Sequence, residues 1–389
     1  MKYVIIIGDG MADRPLEELD GRTPLEAADT PNMDRIASMG SSGQLKTVPD
    51  GMSANSDVAI MSILGYDPEK YYTGRGPLEA AGMDIELGED DLAFRCNLIT
   101  EKDGLIEDYS GGHLSTEEAE VLLVDLEEEY GGEGDFHLGV GYRHIFIKED
   151  PEGEFDEIVS TPPHDVVGGK VEDHLIRPRD NEAVRKINDM MLSSKQVLSD
   201  HRVNRERVGR GDNPANMMWL WGEGRKPDME PISEKYGVEG AVISAVTLVM
   251  GLGVSVGMEK VDVPGATGYF DTSYENKAEY GLRCLEEKDF VLIHVEAPDE
   301  AGHAADIEKK IEAIENLDEK IVGRVLDELE GDYTVMVTSD HLTPISIKSH
   351  TSDPVPFTVY TPGGPKDEVK SFSESTAKDG AWGLLEAHD

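Results

Sequence analysis

Cations, cysteines and long apolar runs are all scarce in this chain of 389 residues. Lys and Arg number 36 against 80 Asp and Glu, a formal net charge of −44. Such a field repels phosphodiester backbones and anionic headgroups, which argues against nucleic acid and membrane surfaces as partners. The acidic surplus is spread along the chain without forming a tail. That suits a solubility adaptation to a salty or potassium-rich cytoplasm better than a polyanion mimic or a metal sponge. The two cysteines, Cys96 and Cys284, lie far apart with no CxxC spacing. This excludes a zinc knuckle and a disulfide framework, and reduced, packed thiols in a cytoplasmic protein are the expectation. No run approaches the ~18 apolar residues of a membrane span. The opening MKYVIIIGDGMAD turns acidic after a few apolar residues and reads as a first strand, not a signal peptide. No G-x-x-x-x-G-K-[ST] and no G-x-S-x-G occurs, so neither a P-loop nor a serine-hydrolase elbow is expected.

What is present begins with short, continuous, β-branched runs of the kind buried on both faces of a parallel sheet. Tyr3–Ile7 ends in Gly8-Asp9-Gly10, FVLIHV (290–295) ends in E-A-P-Asp299, and YTVMVT (333–338) ends in Ser339-Asp340-His341. Between the last two, 306–329 carries helical apolar spacing, which makes a strand–helix–strand unit with a right-handed crossover. Thr30-Pro31 predicts an N-capped helix over 32–39 stopped by Gly40, and the apolar segment 240–250 predicts another helix. The middle of the chain holds shorter alternating segments and turn-rich stretches. The fold expected is therefore α/β, a mostly parallel sheet flanked by helices, with a smaller α+β domain inserted. The boundaries read as 1–81 and 230–389 for the first domain and 82–229 for the insertion. Trp219 and Trp221 read as core or domain-interface residues.

Three of these strands end in a carboxylate, and open α/β sheets bind ligands beyond the carboxyl ends of their strands. Imidazoles accompany the acids: His303 follows Asp299 in D-E-A-G-H, His341 follows Asp340, and His350 sits in S-H-T-S-D. Adjacent residues on an extended segment point apart, so Asp340 and His341 can face different ions. Mixed oxygen and imidazole donors suit a two-metal site for phosphoryl transfer. Ser56, in N-S-D-V-A-I, opens an apolar helical run, where a hydroxyl could be activated by a divalent cation and a phosphate met by free N–H groups. The competing reading makes Ser56, or its rival Ser53, a plain helix cap.

Together, Gly8-Asp9-Gly10, Thr30-Pro31-Asn32-Met33-Asp34, Asn55-Ser56-Asp57-Val58, P-D-E-A-G-H (298–303), Ser339-Asp340-His341 and His350-Thr351 resemble the alkaline phosphatase superfamily. GYDPEKYYTGRGPLEAAG (65–82), NPANMMWLWGEGRKP (213–227) and VPGATGYFDTSYENKAEYG (263–281) narrow the resemblance to archaeal-type cofactor-independent phosphoglycerate mutases. The resemblance implies an alkaline-phosphatase-like fold and one metal held by Asp299, His303 and His350. It implies a second metal held by Asp9, Asp340, His341 and the Ser56 oxygen. It implies that Ser56 takes the phosphoryl group from 3-phosphoglycerate and returns it to the 2-hydroxyl, in glycolysis and gluconeogenesis, with no 2,3-bisphosphoglycerate. Manganese is the expected metal, with magnesium, cobalt or zinc as others the family uses. A phosphatase, or a mutase of another phosphorylated metabolite, would keep the same ligands. A non-enzymatic acidic protein would be expected to have lost some of them. Bacterial relatives carry N-S-E-V-G-H around the serine where this chain has N-S-D-V-A-I.

Transfer must outrun hydrolysis, which gives the inserted domain the part of a lid that excludes water and supplies arginines to the substrate. His113, Arg143, Arg205 and Arg225 are the candidate substrate contacts. The basic run 201–210, Arg75 and the pair His164-Asp165 are further candidates.

Overall fold

The computed structural model describes Met1–Asp389 in two compact units, one formed by Met1–Tyr72 with Asp228–Asp389 and the other by Thr73–Pro227. The first cut falls before the helix Arg75–Gly82 rather than after it. That helix packs on the second unit's strands Asp91–Lys102 and Met217–Arg225, with Ala80 in a small cluster with Leu87, Ala93, Ile145 and Ile147. Its buried contacts therefore override the sequence boundary at 81.

The first unit is built on an eight-stranded sheet. Its centre is Lys2–Gly8, paired in parallel with Phe290–Val295 on one side and Tyr333–Thr338 on the other. Gly240–Ile243 and Glu259–Lys260 continue the sheet in parallel beyond Phe290–Val295. Beyond Tyr333–Thr338, Val355–Tyr360 and then Ser41–Lys46 add antiparallel, and Gly383–Glu386 closes that edge in parallel with Ser41–Lys46. Val4, Ile6, Val291, Ile293, Val335 and Val337 are all essentially buried, as their unbroken apolar runs require.

Three local expectations change. The segment 240–250 is a four-residue strand, Gly240–Ile243, followed by a helix that starts only at Thr247. The sheet edge beside Phe290–Val295 claims the first residues, and a short apolar run carries no period that separates strand from buried helix. The helix Pro31–Met39 forms, but the Thr30 side chain does not cap it. Asp318 does instead, accepting from the N–H groups of Asn32 at 3.1 Å and Met33 at 2.6 Å. Asp318 can reach because the long helix expected over 306–329 is broken there, into Ile307–Leu317, a π-helical turn at Asp318–Gly323, and Arg324–Glu328.

The second unit holds a five-stranded antiparallel sheet. Asp91–Lys102 is its spine, paired with Leu105–Asp108, Arg143–Glu149 and Met217–Arg225, and Asp135–Val140 joins Arg143–Glu149. Phe94, Cys96, Leu98 and Phe146 pack with the helices Thr116–Tyr130 and Glu182–Leu198 in a core of its own. The thiol of Cys96 is buried there and pushed up to about 12, as an inert packed cysteine should be. No helix is long and apolar enough to cross a membrane.

Candidate active site

The three strand ends deliver their acids to one rim of the first unit's sheet. Asp9 follows Lys2–Gly8 and Asp340 follows Tyr333–Thr338, both fully buried, while Asp299 sits in the first turn of the helix Ala297–Ala304. Gly10 between them has φ +56°, and any Cβ there would fall inside Thr343 Oγ1 and 2.6 Å from Asp299 Oδ1. Only glycine lets the first strand turn this close to the second acid.

One cluster forms around Asp299. His303 Nε2 lies 3.2 Å from Asp299 Oδ2, His350 Nε2 lies 3.4 Å from Oδ1, and the two Nε2 atoms are 2.9 Å apart. The other ring nitrogens face backbone carbonyls, His303 Nδ1 that of Lys348 at 3.0 Å and His350 Nδ1 that of Ala54 at 2.8 Å. A carbonyl only accepts, so both Nδ1 atoms carry protons. Two Nε2 lone pairs and a buried carboxylate then point at each other, which requires a positive charge among them. Without a metal ion that charge is a proton. The bond to Asp299 raises His303 to about 9, and those two histidines hold Asp299 well below the usual carboxylate range against the cost of its burial.

The second cluster is Asp9, Asp340 and His341, with the Ser56 hydroxyl. His341 Nε2 lies 3.4 Å from Asp9 Oδ1, 3.4 Å from Asp340 Oδ2 and 3.2 Å from Ser56 Oγ. Ser56 Oγ is also 3.5 Å from Asp9 Oδ2. Asp340 Oδ1 accepts the N–H groups of Gly10 at 3.1 Å and His341 at 2.8 Å. Asp340 Oδ2 and Asp9 Oδ1 are buried with no hydrogen-bond partner. Orphaned carboxylate oxygens beside an imidazole are the donor set of a divalent cation, so the residues present fit one. Burial, then the charges of Asp340 and Asp299, push the Asp9 carboxyl well above its usual value. Burial pushes His341 down, which keeps it neutral and able to ligate. Its ring stacks on His350 with centroids 4.0 Å apart, so the clusters share a wall.

Ser56 is the first residue of the helix Ser56–Ile63, and its cap position belongs to Asn55, whose side chain makes no capping bond. The plain-cap reading of Ser56 is thus excluded. All seven residues expected as ligands converge here, Ser56 among them.

Several residues at this rim escaped the sequence reading. His294 Nε2 lies 2.9 Å from Asp9 Oδ2, with its Nδ1 3.0 Å from Ser244 Oγ. An ionised Asp9 only accepts, so His294 Nε2–H donates to it and Nδ1 accepts from the Ser244 hydroxyl, whose oxygen also takes the Val246 N–H at 3.0 Å. Thr343 donates to Asp299 and takes the Nδ1 proton of His341 at 3.3 Å, leaving Nε2 free. Lys310, fully buried, donates to Asp13 at 2.7 Å and to the Thr343 carbonyl at 2.8 Å, pinning that loop. Lys277, also fully buried and pushed down to about 8 by burial, donates to the His294 carbonyl at 2.9 Å. The available signal was His294 itself, the single polar residue of FVLIHV, a run buried on both faces.

The candidate substrate contacts lie in the second unit and differ in what they touch. Arg225 is committed to Asp150 at 2.6 Å and Asp156 at 3.1 Å. Arg205 donates to the Asp200 carbonyl at 2.7 Å, and Arg207 in the same basic run is buried on Glu118 and the carbonyls of Gly111, Gly112 and Asn213. His113 is exposed at φ +55°. Arg143 is exposed, with its guanidinium over the Tyr142 ring and no carboxylate on it. Trp219 and Trp221 lie in the second unit's buried core, as expected, and Arg75, Arg95 and His164 face the ring of Trp221.

A family profile described as 2,3-bisphosphoglycerate-independent phosphoglycerate mutase matches residues 37–204, and one described as type I phosphodiesterase / nucleotide pyrophosphatase matches 178–353. The chain is 52% identical to 2,3-bisphosphoglycerate-independent phosphoglycerate mutase 2 of Methanothermobacter thermautotrophicus, over all of this chain and 96% of that protein. Among solved structures, a protein from Pyrococcus horikoshii aligns at 31% identity with a TM-score of 0.86, over all of this chain and 94% of that one. The cofactor-independent phosphoglycerate mutase of Thermoplasma acidophilum aligns at 31% identity with a TM-score of 0.67, over all of this chain and 97% of that one. By sequence, by fold and by the acids and imidazoles gathered at one sheet rim, this chain belongs to the 2,3-bisphosphoglycerate-independent phosphoglycerate mutases.

Proposed function

We propose that the protein interconverts 3-phosphoglycerate and 2-phosphoglycerate through a phosphoserine at Ser56, without 2,3-bisphosphoglycerate. The observation that carries this reading is the Ser56 hydroxyl at a helix start, 3.2 Å from His341 Nε2 and 3.5 Å from Asp9 Oδ2, beside two buried carboxylate oxygens with nothing to bind. Asp9, Asp340, His341 and Ser56 would hold one divalent cation, and Asp299, His303 and His350 the other. Such ions draw charge from the phosphoryl oxygens and lower the pKa of the serine hydroxyl. The mixed oxygen and imidazole set favours manganese among the hard and borderline divalent ions.

The chemistry then conserves the phosphoryl group. Ser56 Oγ gives up its proton and attacks phosphorus as the bond to the 3-oxygen of glycerate breaks, and that oxygen takes a proton. Glycerate turns while it stays bound. Its 2-hydroxyl then loses its proton and attacks the phosphoserine, and the freed Ser56 Oγ takes a proton back. Asp340 is fixed by two backbone N–H groups and His341 by Thr343, so neither needs to reorganise between the two half-reactions. We assign to the unit Thr73–Pro227 the holding of glycerate and the exclusion of water during the turn. Charge balance and unpaired cysteines favour a place in cytoplasmic carbon metabolism.

The test is a coupled assay of 2-phosphoglycerate formation with manganese and no added bisphosphoglycerate. Formation of 2-phosphoglycerate is the expected result. Release of inorganic phosphate in its place, or absolute dependence on 2,3-bisphosphoglycerate, would overturn the proposal.

A further inference from the structure

Ser56 sits between two anchors. Before it, the Ala54 carbonyl receives the His350 Nδ1 proton at 2.8 Å, which ties the approach to the helix Ser56–Ile63 to a member of the Asp299 cluster. After it comes Asp57, only 1% exposed. Asp57 Oδ1 accepts the Val58 N–H at 2.9 Å, and Oδ2 accepts the Tyr72 phenol at 2.8 Å. Val58 and Ala59 pack with Val48, and Met52, Ala54 and Tyr72 lie against that small cluster. Tyr72 is the last residue of the first unit, so every one of these contacts is internal to it.

A carboxylate is a costly group to bury in an apolar first turn. The donors that Asp57 meets are neutral, one amide and one phenol, and the start of the helix favours its charge. An apolar residue would pack there without that cost. What the carboxylate adds is a fixed turn. It takes up the Val58 N–H and leaves those of Ser56 and Asp57 as the free donors of the helix start, where a phosphoryl oxygen is favoured. Ser56 Oγ then stands 3.2 Å from His341 Nε2 and 3.5 Å from Asp9 Oδ2. In-line attack on phosphorus tolerates little displacement, and a ~1 Å error in placement costs ~100-fold in rate.

We propose that Asp57 and Tyr72 are positioning residues for the Ser56 nucleophile. The phenol holds the carboxylate, the carboxylate holds the first turn, and the turn presents Ser56 Oγ with two free N–H groups to the phosphoryl group. Neither side chain reacts, and neither is a ligand of the cations. The identity of the phosphoryl donor rests on the mutase reading, whereas the placement of Ser56 stands on this geometry alone. Such a pair acts on the transition state of transfer and leaves ground-state binding of a phosphate as it was.

The experiment uses the manganese-loaded full chain, with Tyr72→Phe, Asp57→Asn and Ser56→Ala beside the parent. Orthovanadate, which adopts the trigonal-bipyramidal geometry of phosphoryl transfer on a serine oxygen, and inorganic phosphate are titrated by calorimetry. Steady-state kinetics on 3-phosphoglycerate and melting curves accompany them. Tyr72→Phe keeps the ring in its apolar cluster and Asp57→Asn keeps an oxygen acceptor, so both should melt near the parent and hold manganese as it does. Vanadate affinity and kcat should fall roughly tenfold or more in Tyr72→Phe, with phosphate affinity and KM unchanged, and should fall less in Asp57→Asn. Unchanged vanadate affinity and kcat in Tyr72→Phe overturn the proposal. Equal losses of vanadate, phosphate and manganese affinity with a lowered Tm also overturn it, since the pair would then be a packing contact. A parent that binds vanadate no tighter than Ser56→Ala overturns it as well, because Ser56 would not be the nucleophile being placed. If Tyr72→Phe fails to fold, Asp57→Asn carries the same comparison. If the parent makes no 2-phosphoglycerate, the mutase reading fails, and the contrast between vanadate and phosphate still decides whether the pair positions Ser56.

Discussion

His294→Leu should loosen one cation site and leave the other as it was. His294 Nε2 gives its proton to Asp9 Oδ2 at 2.9 Å, and both side chains are buried. Leucine fills much of the imidazole's volume but leaves that carboxylate oxygen dry and Asp9 free to swing. A hydrogen bond to a charged group contributes about 1.5–3 kcal/mol. At ~1.4 kcal/mol per decade that is roughly 10–100-fold in affinity, the range measured for partners that orient metal ligands. His294→Gln keeps a donor and should recover part of the loss. The assay is calorimetric titration of chelator-stripped protein with manganese, resolving two classes of site. The site containing Asp9 should weaken, and the Asp299–His303–His350 site should hold its affinity, since none of its ligands touches His294. Unchanged affinity at both sites would refute the role given to this histidine. Equal losses at both sites with a lowered Tm would reduce it to a packing residue.

Three further outcomes follow from the same rim. Ser56→Ala should abolish formation of 2-phosphoglycerate while both cations still bind, because the other ligands remain; turnover at the parent rate would remove Ser56 as the nucleophile. Cation binding should release a proton from His303, whose bond to Asp299 raises it to about 9 in the free protein. The sign is fixed: below about 9 the ion competes with that proton, so apparent affinity falls up to about tenfold per unit of acidification. Manganese affinity that stays constant between pH 7 and 9 would contradict it, and chelation should silence the enzyme until manganese is returned.

Much of this site was legible before any coordinates. A run such as YVIIIG or YTVMVT has one reading in an α/β chain, a strand buried on both faces, and the residue after it stands at the ligand-binding rim. Asp9 and Asp340 followed from that rule, and Asp299, His303, His341 and His350 from their company. What escaped depends on which side chains meet across the fold. His294 looks like a blemish in an apolar strand until Asp9 is seen beside it. The capping of Pro31–Met39 by Asp318 joins residues 286 apart in sequence through a π-helical turn that no apolar spacing encodes. The segment 240–250 misled because four residues are too few to show a period. Local basic density points to 201–210, where Arg207 is buried on Glu118. Arg95 stood alone in DLAFRCN, and only strand register brings it to Trp221 and Arg143.

The central strand of the first unit is made long before the strands that complete it. Lys2–Gly8 takes its hydrogen bonds from partners that begin at Phe290 and Tyr333. During synthesis its YVIIIG segment must wait, apolar and with both edges open, while Thr73–Pro227 can collapse onto its own core. A chain cut short before Phe290 would therefore carry a finished inner unit attached to a sticky orphan strand. Such fragments should aggregate rather than persist as soluble halves, and the Asp9 carboxylate can meet Asp340 only after synthesis has passed residue 340.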